Sequence, residues 1–134
     1  MPAVDTEALF AFNPKDSKHE QVIELLKRQS DVIAPDTALL EFQIVVRNRR
    51  RKATEVRKAM LALREALARY EVKEASTLTS SVLVHQCELE EEYELSYFDS
   101  LVAASALALD QKIISDDEAF DRIPDLERVP LSKS

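Results

Sequence analysis

The sequence predicts a three-layer α/β domain, with a mainly parallel central sheet flanked by helices. Two observations lead there. Short apolar runs alternate with longer segments of helical character, the pattern of strand–helix–strand units. Acids stand just past two of those runs, at Asp5 and Asp117, where open parallel sheets place their sites. A chain of 134 residues, 46% of them hydrophobic, can form one domain with a real core. Residues 1–130 read as that single domain and residues 131–134 as a loose tail after Pro130.

The elements follow in order. Ala3 and Val4 form a short buried strand leading into Asp5, and residues 6–12 read as a short helix ending near Asn13 and Pro14. Ser17 and Glu20 have capping-box spacing. They predict a helix to about residue 28, with Val22, Ile23, Leu25 and Leu26 facing inward. Val32, Ile33 and Ala34 form a second strand before Pro35. Asp36 or Thr37 begins the next helix, which carries Leu39, Leu40, Phe42, Ile44 and Val45 and has Glu41 in its second turn. Over residues 53–70, Val56, Met60, Leu63, Leu67 and Tyr70 alternate steps of four and three, a stripe for the core or an oligomer seam. Arg57, Lys58, Arg64 and Arg69 take the other face. Val72 starts a brief strand, and Thr79 or Ser80 caps a helix through Val82, Leu83, Cys87 and Leu89 to Tyr93. Residues 99–109 form a further helix, 112–115 a strand, 118–121 a turn and 126–129 an edge strand.

Composition excludes several functions. The chain has no glycine, so the glycine-rich phosphate loops of dinucleotide-binding proteins and common ATPases are absent. The single cysteine, Cys87, excludes an internal disulfide and a cysteine-built zinc site, and its place on an apolar face predicts a core residue. His19, expected to be exposed, and His85 support no serine–histidine–acid triad. No apolar run spans a bilayer and the N-terminus does not read as a signal peptide, so the expected location is the cytoplasm and no membrane partner is expected. A net charge of −7 argues against coating nucleic acid by bulk attraction. The basic run Arg47, Arg49, Arg50, Arg51 and Lys52 is an exception. It is a solvated stretch, a contact for an acidic partner or a set of RNA phosphate contacts.

The chemistry lies in four acids: Asp5, Glu41, Asp99 and Asp117. Carboxylates gathered from separate elements form a hard-cation site, and such sites commonly serve phosphate chemistry. Crowded carboxylates repel one another, so at least one of the four is expected to have a raised pKa without metal. Each also has a plainer reading. Asp99 is equally a helix cap, and Glu41 alone reads better as a solvated helix residue. Asp117 lies in an acidic turn of the kind that is usually solvated. Asp5 has the strongest local case, since an acid directly after a buried strand needs a reason. Thr6 either supports Asp5 or caps the following helix.

Four pieces in order resemble the PIN-domain ribonuclease family over nearly the whole chain, and in particular the toxin component of VapBC-type toxin–antitoxin pairs. Val4-Asp5-Thr6 resembles the family's opening aspartate, and Pro35 through Leu40-Glu41-Phe42 the helix that presents a glutamate. Leu95-Ser96-Tyr97-Phe98-Asp99-Ser100 with Ala103-Ala104-Ser105-Ala106 resembles the aspartate that opens the central helix. Ile113-Ile114-Ser115-Asp116-Asp117-Glu118-Ala119-Phe120 resembles the closing Ser-x-Asp segment and its phenylalanine. Glu94 departs from the pattern, standing where the family often has glycine. The resemblance implies a PIN-like fold and a divalent-metal-dependent endoribonuclease that hydrolyses RNA with a metal-activated water. It makes Asp5, Glu41, Asp99 and Asp117 the ligands of Mg²⁺ or Mn²⁺. Thr6 and Ser115 would stand behind them, with Asp116 as an alternative ligand to Asp117. It further implies an RNA substrate, an antitoxin protein that blocks the acids with an arginine or lysine, and a homodimer. The rivals are a non-catalytic RNA- or protein-binding scaffold of the same fold, a mostly helical interaction protein with solvated acids, and a flap-type DNA nuclease, for which the chain is short.

Overall fold

A computed structural model describes residues 1–50 and 52–132, without the Arg50 side chain. Arg51, part of the basic run, and residues 133–134 of the expected tail lie outside the described residues.

The chain order is β1 (Ala3–Val4), α1 (Thr6–Phe10), α2 (His19–Arg28), β2 (Ile33–Pro35), α3 (Asp36–Arg50), α4 (Ala53–Arg69), β3 (Lys73–Ala75), α5 (Ser80–Tyr93), α6 (Tyr97–Leu109), β4 (Lys112–Ile114) and β5 (Glu127–Val129). A short 3-10 turn, Glu118–Arg122, lies between β4 and β5. Among the described residues the five strands form one sheet in the order β3-β2-β1-β4-β5, and every pairing is parallel. This is the expected α/β architecture with β5 as an edge strand. From β1 the chain builds outward through β2 and β3 on one side and reaches β4 and β5 on the other. The direction of winding therefore reverses beside β1, where ligand crevices form in such sheets.

Strands of two or three residues form here because both faces of the sheet are covered. Ala3, Val4, Ile33, Ala34, Ile113 and Ile114 are all buried. Pro35 ends β2 opposite Ala75, where its missing N–H removes least from the ladder. The small face of α6, with Ala103, Ala104 and Ala106 fully buried, lets this helix lie close to the core. Phe10 stacks on Phe42 at 4.4 Å between ring centres and Phe12 on Tyr70 at 6.0 Å, docking α1 and the turn after it against α3 and α4.

Four details differ from expectation. The Ser17–Glu20 capping box does not form: α2 starts at His19 after Lys18, which makes no side-chain cap bond. Asp16 takes over the turn, accepting from the Lys18 N–H on its carboxylate and from the His19 N–H on its carbonyl. Cys87 is exposed, because the inward stripe of α5 is Val82, Gln86 and Leu89. His19 is partly buried, with Nδ1 2.9 Å from the Ala11 carbonyl. Leu131, placed by sequence in the loose tail, is 1% exposed, and its N–H donates to Asp116 Oδ1 at 2.7 Å.

Candidate metal centre

β1 and β4 run side by side with Val4 opposite Ile114, and the Asp5 N–H donates to the Ile114 carbonyl at 3.2 Å. The residues that follow these strands, Asp5 on one and Ser115-Asp116-Asp117 on the other, emerge together at the carboxyl end of the sheet. Asp5 is 6% exposed and caps α1, its Oδ1 accepting from the Ala8 N–H at 2.8 Å. Ser115 is fully buried, and its oxygen accepts from the Asp117 N–H at 2.9 Å. The same hydroxyl acts on the Asp5 carboxylate. Asp117 is fixed from the other side by the Ala119 N–H, which donates to Oδ1 at 2.9 Å.

The other two acids come from helices. Glu41, half-buried on α3, receives the Thr6 hydroxyl hydrogen bond, so Thr6 links α1 to α3. Asp99 lies in the first turn of α6 without being its cap. Ser96 is the cap, its hydroxyl accepting from the Asp99 N–H at 3.2 Å, which leaves the Asp99 carboxylate free of that duty.

Electrostatics tie the four together. Burial pushes Asp5 up to about 7, with the like charges of Glu7 and Asp117 adding to it and Ser115 and the Ala8 N–H only partly offsetting it. Glu41 is raised by burial and by the charge of Asp99, against the Thr6 hydrogen bond. Asp99 is raised by burial and by the charge of Asp117, against the Ser96 hydrogen bond and the positive charge of Arg122. The chain of repulsion runs Glu41–Asp99–Asp117–Asp5. Asp5, Glu41 and Asp99 are thus all raised, by burial first and by like charge second.

Asp116, the alternative to Asp117, is otherwise engaged. Its Oδ2 meets Lys18 Nζ at 2.8 Å, and its Oδ1 accepts from the N–H groups of Leu131 and Ser132. Burial would raise its pKa, but Lys18 and those N–H groups more than offset this and hold it low. Its charge is matched within the fold by Lys18, whereas the charged groups described around Asp117, Asp5 and Asp99, are of like sign.

The donor set suits a hard divalent cation: oxygen ligands only, partly desolvated, with excess negative charge that a cation would offset. Among the described residues no three His, Cys, Asp or Glu side chains are close enough together to hold one ion as they stand. This does not conflict with Mg²⁺, which usually takes one or two carboxylates and keeps several waters, with substrate phosphate completing its shell.

The described side chains of the basic run lie elsewhere. Arg49 stands 5.0 Å over the Phe10 ring at a groove of about 960 Å³ between α1, α3 and α4, which none of the four acids lines. Arg47 donates to Gln43 on its own helix, and Lys52 is exposed before α4. The residue that sequence reasoning missed is Arg122. Its Nη1 donates to the carbonyl oxygens of Glu94 at 3.2 Å and Tyr93 at 3.4 Å, and its charge reaches Asp99. The sequence carries one sign of it, a lone arginine five residues after Asp117 in an acidic turn.

A family model described as the PIN domain matches residues 3–126. No curated protein matches the chain. Solved structures with the same fold include the VapBC2 complex of Rickettsia felis bound to a promoter DNA fragment, at 21% identity and TM-score 0.70 over 96% of each chain. They also include VapC20 of Mycobacterium tuberculosis, a sarcin-ricin loop cleaving toxin, at 18% identity and TM-score 0.66, covering 90% of this chain and 93% of that one. DNA-bound VapBC of Salmonella typhimurium is similar at 16% identity and TM-score 0.69, covering 98% of this chain and 100% of that one. At these identities the structural likeness establishes the fold.

Proposed function

Because the chain belongs to the PIN-domain family, we propose that it is a divalent-metal-dependent endoribonuclease whose acids are Asp5, Glu41, Asp99 and Asp117. The observation that carries this reading is the run of mutually repelling, partly buried carboxylates at the winding reversal of the sheet. Folding them together without a cation is costly, and the capping roles of Asp5 and Asp117 do not call for the four to be near one another. Mg²⁺ or Mn²⁺ bound among them would neutralise the scissile phosphate, lower the pKa of a water and stabilise the leaving oxygen.

The chain's own contribution is orientation and charge. Asp5 and Asp117 are fixed by backbone N–H groups and share Ser115, so they are held relative to each other. Glu41 is aimed by Thr6. Asp116 keeps the β4 end in place through Lys18 and Leu131 rather than acting as a ligand.

The sarcin-ricin loop cleavage by VapC20 supports RNA as the substrate, which in turn suits a cytoplasmic protein. The VapBC complexes among the similar structures support an antitoxin partner, whose arginine or lysine would enter the acids and pair with them. A homodimer follows by the same resemblance. Arg47, Arg49 and Lys52 are proposed as outlying phosphate contacts; reversing the charge of Arg49 and Lys52 should weaken RNA binding and flatten its salt dependence. A non-catalytic scaffold is the second reading, favoured by the absence of three gathered ligands among the described residues.

Cleavage of a mixed pool of structured and single-stranded RNA, with Mg²⁺, Mn²⁺ or EDTA, separates the two. The nuclease reading expects cleavage that needs metal and is abolished in Asp99→Asn. Equal cleavage by wild type and variant would contradict it. No cleavage and no Mn²⁺ binding would leave the scaffold.

A further inference from the structure

The connection from α5 to α6 turns tightly without glycine. Glu94 stands in the left-handed region at φ 53° and ψ 42°. That conformation is unfavourable for a residue with a Cβ. α5 also ends here, and the last carbonyls of a helix have no donors within it. Arg122 supplies one, its Nη1 lying 3.2 Å from the Glu94 oxygen and 3.4 Å from the Tyr93 oxygen. The same turn delivers α6. Two residues after Glu94, the Ser96 hydroxyl accepts from the Asp99 N–H and the Ser96 carbonyl from the Ser100 N–H.

Arg122 is itself well placed to act as a tie. It ends the 3-10 turn that Asp117 caps, and this turn is anchored by Phe120, which is 1% exposed. One guanidinium thus joins the turn that begins at Asp117 to the turn that leads into Asp99, across 28 residues of sequence.

We infer that Arg122 is a positioning residue: by clamping the Tyr93 and Glu94 carbonyls it sets the spacing of Asp99 and Asp117 that a divalent cation needs. The inference rests on the carboxylate-centre reading above.

Charge and position make opposite predictions here. The Arg122 charge opposes the burial and repulsion that raise Asp99. Deleting a cation beside the acids would, by Coulomb's law alone, tighten Mn²⁺ binding. Loss of positioning weakens it, by about 10-fold or more, as for other residues that orient ligands from behind.

The test is calorimetric titration of Mn²⁺ into metal-free wild type, Arg122→Ala, Arg122→Lys and the double variant Arg122→Ala with Glu94→Gly. Arg122→Ala is expected to bind about 10-fold more weakly. Arg122→Lys keeps the charge but lacks the guanidinium whose Nη1 reaches both carbonyls, and is also expected to bind more weakly. The double variant is expected to recover most of the affinity, since glycine holds the left-handed turn without a clamp. Affinity in Arg122→Ala equal to or tighter than wild type would overturn the inference. Should Arg122→Ala fail to fold, Arg122→Lys decides, and wild-type affinity there overturns it. Wild type that binds no Mn²⁺ at all would overturn the carboxylate-centre reading and this inference with it, an outcome distinct from a variant that merely matches wild type.

Discussion

At Asp5 a carboxylate follows directly on a buried strand and is surrounded by like charge, and its pKa of about 7 has a consequence for stability. The folded value lies above the ordinary aspartate value of 3.8, so between these pH values the folded chain holds a proton that the unfolded chain has released. The stability from this group is full below about pH 4, falls as pH rises to about 7 and is flat above, a loss on the order of 4 kcal/mol. Urea unfolding of metal-free protein at several pH values should show this loss in wild type and not in Asp5→Asn, whose side-chain oxygen can still cap α1. The two neighbouring aspartates should separate by role. Asp117→Asn is expected to abolish metal-dependent RNA cleavage. Asp116→Asn is expected to keep most of the cleavage and lose about 1 kcal/mol of stability, since its ion pair with Lys18 is partly exposed. Glu94→Gly alone should stabilise the fold by about 0.5–1 kcal/mol, read by the same unfolding experiment.

Among the elements, α1 and α6 do most to aim the acids, and both do it through a hydroxyl at a helix start. Thr6→Val keeps the β-branched shape but removes the donor to Glu41. It is expected to reduce RNA cleavage by about 10–100-fold with little change in unfolding midpoint. Activity equal to wild type would show that Glu41 needs no such support. The strands and helices were largely legible because parallel strands are continuous apolar runs and their helices carry regular stripes. What failed was local and polar. Ser17 and Glu20 had the spacing of a cap, but Asp16 offered the backbone a competing turn. Cys87 looked apolar enough for the core, whereas the inward position is Gln86, buried because it donates to Ser100 on α6. A buried glutamine satisfied by another helix leaves no trace in a hydrophobic pattern.

For the whole molecule, the sheet order brings residues from both halves of the chain to one crevice, so the candidate centre exists only when the fold is complete. The positions of Asp5 and Asp117 were readable because the carboxyl ends of parallel strands are predictable places, whereas Glu41 and Asp99 lie on helices and carry no such local sign. Arg122 was not, since its carbonyl partners lie 28 residues away and nothing local announces them. The pairing of Asp116 was unreadable for the same reason, because Lys18 and Leu131 approach from distant parts of the chain. The central claim is that fold stability is traded for a cation site at these carboxylates. It is tested most directly by thermal unfolding of wild type and Asp5→Asn at neutral pH, each with EDTA and with Mn²⁺. In EDTA the variant should melt at a higher temperature than wild type, and Mn²⁺ should raise the melting temperature of wild type alone. A variant that melts lower in EDTA, or that Mn²⁺ stabilises as much as wild type, would contradict the account.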